Sequence, residues 1–221
     1  MHPILKRNLA NFVTSLGIIS GIFACIFAIT HQNWQLATWL LVFGLMTDGL
    51  DGKVARKFWS TKAGPYLDDI ADLIHFGIHP ALWIWLITGH IPLSVLYVIA
   101  ILYRLVRFTI KKQHTSALFS GLPSPAGAIG IFGIILSPMD TNTMMIGVLF
   151  MTCLSVSSLP CMHIIKNKQI QRFLPLMIFT TILLPFLFGG GQYGFAITEL
   201  VLIGIYIFFS LISMIPHYVA R

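Results

Sequence analysis

Residues 47–80 read TDGLDGKVARKFWSTKAGPYLDDIADLIHFGIHP and hold five of the seven carboxylates in a chain of 221 residues. Everything around them is oily. With 57% hydrophobic residues, 10% charged residues and a mean hydropathy of +0.85, the composition excludes an ordinary soluble domain. Outward from the acidic stretch lie eight apolar runs, at 11–30, 34–52, 70–89, 91–110, 124–138, 143–164, 173–189 and 194–215. Crossing a hydrocarbon core takes about 20 helical residues, and the fifth run is the shortest. The expected fold is therefore all-α, a polytopic membrane helical bundle of about eight transmembrane helices. The chain, 1–221, reads as a single membrane-embedded domain without a strong repeat or a linker. Its first ten residues, MHPILKRNLA, are expected as a short interfacial helix leading into the first run. That run reads as a retained span rather than a cleaved leader, because another follows at once.

The basic residues set the orientation. All 14 Lys and Arg fall into groups at 6–7, 53–62, 104–112, 166–172 and 221, and eight spans bring every group to one side. The opposite loops, near 31–33, 90, 139–142 and 189–193, contain neither residue type. By the positive-inside rule both termini are expected in the cytoplasm, with the acidic stretch facing it. The net charge of +7 then reports orientation and contact with anionic headgroups or phosphates; without a soluble basic domain, no nucleic-acid partner is expected. Cys25, Cys153 and Cys161 lie in or beside apolar runs and read as small packing residues. Helix breaks are expected at Gly64-Pro65, in GLPSPAG (121–127) and in FGGGQYG (188–194).

At about 100° per residue, Asp48, Asp51 and Ala55 line one face of the second helix, continuing from Gly44. Asp68 and Asp72 share a face of the third, with Asp69 at its edge. One helix runs inward and the next outward, so the four carboxylates of Asp48, Asp51, Asp68 and Asp72 converge at one cytoplasmic depth. Packed at the edge of a low-dielectric region they repel one another, and either protons or metal ions must compensate. Carboxylate oxygens are hard ligands, and four of them suit a pair of ions such as Mg²⁺, Mn²⁺ or Ca²⁺. A two-metal site fits diphosphate chemistry. Gly52 and Ala55 remove bulk where a nucleotide or a neighbouring helix approaches, and Arg56 adds a permanent cation for phosphates. Two blander readings compete. The charges are those of a solvated turn, which explains the loop but not the helix faces, and the small residues are helix-packing positions.

These residues resemble the signature of the CDP-alcohol phosphotransferase family, D-x2-D-G-x2-A-R, a spacer, then G-x3-D-x3-D. Asp48, Asp51, Gly52, Ala55, Arg56, Gly64, Asp68 and Asp72 fill all eight positions. The resemblance implies a membrane enzyme that transfers a phosphatidyl or related group from a CDP-linked donor to an alcohol and releases CMP. It implies two divalent cations, Mg²⁺ or Mn²⁺, on the four aspartates, with Asp72 also the catalytic base. Gly52, Ala55, Arg56 and Gly64 would bind the CDP donor, and a homodimer is the family expectation.

Three further stretches, LDDIADLIHFGIHPA (67–81), YRLVRF (103–108) and GLPSPAGA (121–128), resemble the bacterial and archaeal membrane phosphatidylserine synthases, the last through their GLP-x-PA element. This similarity spans about residues 10 to 130 and implies CDP-diacylglycerol and L-serine as substrates, membrane lipids as surroundings and the inner membrane of a prokaryote as location. Arg104, Arg107 and Lys111 share one helical face and would bind the serine carboxylate or a lipid phosphate, or else serve as end-of-helix anchors. The chain departs from that pattern at Asp69, His75 and His79, all three candidates for binding the acceptor or a phosphate. Both histidines follow Asp72 at helical spacing, so either they are hydrogen-bonded packing residues or at least one shapes the acceptor pocket; in the second case the acceptor need not be serine, and glycerol phosphate, an inositol phosphate and choline are the alternatives. In a different class, a cation transporter would use the aspartates as its ion site; it would need carboxylates near midplane and a path to both sides. Glu199 is an intramembrane carboxylate with no partner legible in the sequence.

Overall fold

The computed structural model describes residues 3–31, 33–58, 64–110, 118–162 and 191–219, and for 3–10, 31, 51–58, 118–120, 160, 162, 209 and 211–219 the backbone alone. Among these residues the chain is helical apart from one small ribbon. Helix α1 is Pro3–His31 and α2 is Trp34–Phe58. The third helix, α3, runs over Gly64–Thr88 with a π-helical segment at Leu73–Ile78. It is followed by α4, Ile91–Ile110, α5, Ser124–Leu136, α6, Thr141–Val156, and α7, Gln192–Val219. Strand β1, Leu118–Ser120, pairs antiparallel with β2, Pro160–Met162, in the register Phe119 to Cys161.

The stretches Asn11–Thr30, Gly64–Thr88 and Ile91–Ile110 are long and apolar enough to cross a membrane; Ser124–Leu136, Thr141–Val156 and Gln192–Phe208 are shorter apolar stretches. Their outward faces carry Phe12, Ile19, Phe23, Ile99, Val106, Ile146 and Phe150, all exposed, as suits a surface facing acyl chains. The expected interfacial segment at the N-terminus begins, from Pro3, as part of the same unbroken helix as the first run. The run expected at 143–164 is not one helix. It stops at Val156, because Pro160 cannot donate to a helical ladder and the chain turns into β2 instead. The run at 173–189 lies outside the described residues.

Local chemistry explains the element ends. Asn33 Oδ1 accepts from the Leu36 backbone N–H at 3.1 Å and caps α2, and Asp140 does the same for α6 through Thr143 N–H at 3.0 Å. Pro65 sits in the first turn of α3, where a missing donor costs nothing. Deeper in α3, Pro80 cannot donate to the Phe76 carbonyl four residues back. The Tyr97 hydroxyl of α4 donates to that carbonyl at 2.8 Å, so the interruption is bonded across helices.

Helix α1 packs along α2, α4 along α6, and α5 against α7. The last pair approaches closely because Gly133 presents bare backbone to Leu200. Trp34 and Trp39 set their edges on Phe195 at 5.9 and 5.5 Å, tying α2 to α7. Phe76, Tyr97, Ile101, Ile131 and Phe132 are fully buried at the centre, where α3, α4 and α5 meet.

Candidate active site

Helix α2 supplies Asp48 and α3 supplies Asp68 and Asp72, and one carboxylate oxygen from each lies within 4.8 Å of the others. Residues 20 and 24 positions apart meet because two helices turn back on each other across a short connection. Three carboxylates so placed, at the margin of an apolar bundle, offer hard oxygen donors at a spacing that fits a divalent cation. Asp51, Gly52, Ala55 and Arg56 continue α2 beyond Asp48; their backbone is helical, and their side chains lie outside the described residues. Gly64 opens α3. A small recess adjoins the aspartates and is lined by Thr14, Gly17, Gly44, Thr47 and His75.

The other residues singled out in the sequence separate into distinct places. Asp69 turns away from the cluster toward α4, where the Thr109 hydroxyl donates to its Oδ2 at 3.0 Å. His75 is buried against α1 and α2: its Nε2 lies 2.7 Å from the Gly17 carbonyl oxygen and 2.9 Å from Ser20 Oγ. Gly44 makes room for the ring, since a Cβ there would stand 2.5 Å from Nδ1. His79 packs instead on Phe132 of α5 at 5.2 Å between ring centroids, and both of its ring nitrogens are buried without a hydrogen-bond partner among the described residues. The expected stripe of two histidines above Asp72 is thus divided between neighbours, because the wider π turn re-aims the side chains after Asp72.

Arg104 and Arg107 are both buried. Arg104 donates from Nε to the Leu122 carbonyl at 2.7 Å and from Nη1 to Ser124 Oγ at 3.0 Å. Arg107 donates from Nη1 to the Val156 carbonyl at 2.8 Å and from Nη2 to that of Ser157 at 2.9 Å. These contacts hold the GLPSPAG loop against the end of α6. Gly121 has φ +86° and faces the Ser155 and Ser157 carbonyls so closely that a Cβ would be 2.6 Å from the former. Lys111 lies outside the described residues.

Ser124 was missed as a site residue. Its hydroxyl, at the first position of α5, donates to Asp72 Oδ2 at 2.8 Å. The available signal was a serine between two prolines at the head of an apolar helix, in a loop otherwise readable only as a break.

The chain belongs to the CDP-alcohol phosphatidyltransferase family, whose model matches residues 7–183. It is therefore an enzyme of that family and an integral membrane protein. It is similar to a CDP-diacylglycerol–serine O-phosphatidyltransferase of Helicobacter pylori, 31% identical over 80% of this chain and 80% of that protein. The enzyme of the same name from a second strain of that organism is 29% identical over 93% of this chain and 90% of its own length. One from Mycobacterium leprae is 31% identical over 58% and 46% of the respective chains.

Proposed function

We propose that this single-domain enzyme transfers the phosphatidyl group of CDP-diacylglycerol to the hydroxyl of L-serine, forming phosphatidylserine and CMP. The observation that carries the chemistry is the meeting of the Asp48, Asp68 and Asp72 carboxylates within 4.8 Å. Support for serine comes from relatives of that printed activity along 80% or more of this chain. Asp48, Asp51, Asp68 and Asp72 would hold two divalent cations, Mg²⁺ or Mn²⁺. When bound, such ions polarise phosphoryl oxygens and offset the charge of the departing phosphate.

The chain's own residues carry the remaining work. Gly52, Ala55, Arg56 and Gly64 receive the CDP part of the donor, with Arg56 supplying a guanidinium for its phosphates. Asp72 takes the proton of the serine hydroxyl as that oxygen forms its bond to the lipid-linked phosphorus. The bond from phosphorus to the bridging oxygen breaks, and this oxygen leaves with CMP. Base catalysis of this kind contributes about 10²–10⁴-fold. Holding the hydroxyl beside the donor phosphorus supplies much of the rest.

The reading includes eight spans with both termini and the active site in the cytoplasm of a prokaryote, in its inner membrane, and a homodimer as the working state. The test is release of CMP and formation of lipid product by the purified chain with CDP-diacylglycerol, Mn²⁺ or Mg²⁺, and a panel of serine, glycerol phosphate, inositol phosphate and choline. Product with serine alone, abolished by EDTA and restored by the ion, is expected. Product with another alcohol and none with serine would overturn the assignment of the acceptor.

A further inference from the structure

We propose that Ser124, itself held by Arg104, is a positioning residue that fixes the carboxylate of Asp72 for the reaction. The inference rests on the reading of Asp72 as ligand and base.

The direction of the hydrogen bonds leaves the hydroxyl a single orientation. A guanidinium has donors and no acceptor, so at 3.0 Å from Arg104 Nη1 the Ser124 oxygen accepts. An ionised carboxylate accepts and cannot donate, so at 2.8 Å from Asp72 Oδ2 the same oxygen gives its proton to Asp72. Both bonds involve a charged partner, which makes them shorter and stronger than neutral ones. Ser124 is fully buried and Arg104 nearly so, and Asp72 is half-buried.

The rest of the neighbourhood keeps this chain of bonds in place. Arg104 also grips the Leu122 carbonyl, two residues before Ser124, at 2.7 Å. Arg107 clamps the end of α6 under Gly121, one residue earlier still. Two arginines of α4 thereby seat the loop whose serine reaches across to α3. The arginines thus act on the site through the loop. Neither Ser124 nor Arg104 is among the eight signature positions, and the GLP-x-PA element leaves the serine position open.

A carboxylate that both binds a cation and abstracts a proton must hold its plane in one orientation, and a second bonded group is what fixes that orientation. The test is Ser124→Ala in the full chain, purified in detergent, with two readouts: kcat for CMP release at saturating substrates and Mn²⁺, and Mn²⁺ affinity without substrates, measured by electron paramagnetic resonance of the unbound ion. Loss of such a bonded group typically costs about 10- to 100-fold in metal affinity or activity, and a fall of that size in kcat, with weaker Mn²⁺ binding, is expected. Ser124→Thr keeps the hydroxyl and should recover most of both. A serine that merely packs gives the opposite pattern: alanine keeps kcat and Mn²⁺ affinity at the parent level, and the bulkier threonine is the worse variant. That result overturns the proposal. Asp72→Asn, run alongside, separates the two levels of inference. Parent-level turnover in Asp72→Asn would remove the underlying reading of Asp72, whereas an inactive Asp72→Asn beside a fully active Ser124→Ala would remove the positioning role alone.

Discussion

The imidazole of His75 donates from Nε2 to the carbonyl oxygen of Gly17, 2.7 Å away, and so fastens α3 to α1 just beyond the aspartates. A carbonyl only accepts, so the proton is on Nε2, and the bare Nδ1 is the nitrogen that lies against Gly44. The ring is a bolt through three helices at the floor of the recess beside Asp48 and Asp72.

Gly44→Ala is therefore expected to be more harmful than a helical Gly-to-Ala change usually is. The added methyl would meet the His75 ring at 2.5 Å, in a notch closed on its other side by Gly21. Overpacking of this kind costs about 1–3 kcal/mol, against the fraction of a kcal/mol to about 1 kcal/mol that alanine would gain in helix propensity. Thermal unfolding of the purified variant checks it; an unchanged or raised midpoint would show that the notch yields.

His75→Ser removes the ring and its bond to Gly17. Loss of a buried ring of this size is expected to destabilise by about 2–4 kcal/mol. Because the bolt supports both sides of the recess, the KM values for donor and acceptor should change together. A change confined to the acceptor KM, with stability intact, would instead make His75 a wall of the acceptor pocket.

The aspartates should separate by role. On the proposed two-ion reading Asp68→Asn removes a ligand, and it should weaken Mn²⁺-dependent binding of CDP-diacylglycerol together with turnover. Asp72→Asn should lower turnover by about 10²–10⁴-fold while keeping more of the donor binding. Equilibrium binding of the donor in both variants, set beside CMP release, decides; equal loss of binding in the two would erase the distinction.

Gly121→Ala places a side chain at φ +86° and 2.6 Å from the Ser155 carbonyl oxygen. Backbone strain and collision together should cost at least about 2 kcal/mol and unseat the loop that carries Ser124. The expected signature is loss of CMP release at temperatures where the parent chain is still folded and active.

Topology is open to chemical labelling. With Cys25, Cys153 and Cys161 replaced, a single cysteine at Asn142 should react with a membrane-impermeant reagent only from outside, and one in the 57–63 connection only from the cytoplasm. Reaction of both from one side would refute the eight-span arrangement.

The meeting of Asp48 with Asp68 and Asp72 was legible because helical spacing and a short connection suffice to place those carboxylates. Roles that depend on backbone partners were not. Arg104 and Arg107 look alike in the sequence, yet Arg104 holds the Leu122 carbonyl beside Ser124 Oγ, and Arg107 holds the carbonyls of Val156 and Ser157, groups every residue possesses. Pairing of Phe119 with Cys161 brings together segments of three residues, too short for any period to announce. The histidines were placed on one face by counting α-helical turns, and the count fails at Leu73–Ile78.

That π turn is a surplus residue carried inside a helix that never breaks. Positions up to Asp72 keep step with Gly64, while His79, Pro80 and Trp83 are numbered, in effect, one step late. Deleting one residue between 73 and 78 would restore an ordinary α-helix and leave the outer half of α3 in its present orientation, whereas a deletion elsewhere in the helix would turn one half against the other by about 100°. His79 and Trp83 would keep Phe132, and Asp68 and Asp72 would stay facing Asp48. The helix is thus two instruments on one axis, tuned a residue apart, and the π turn is where it can lose a residue without detuning either.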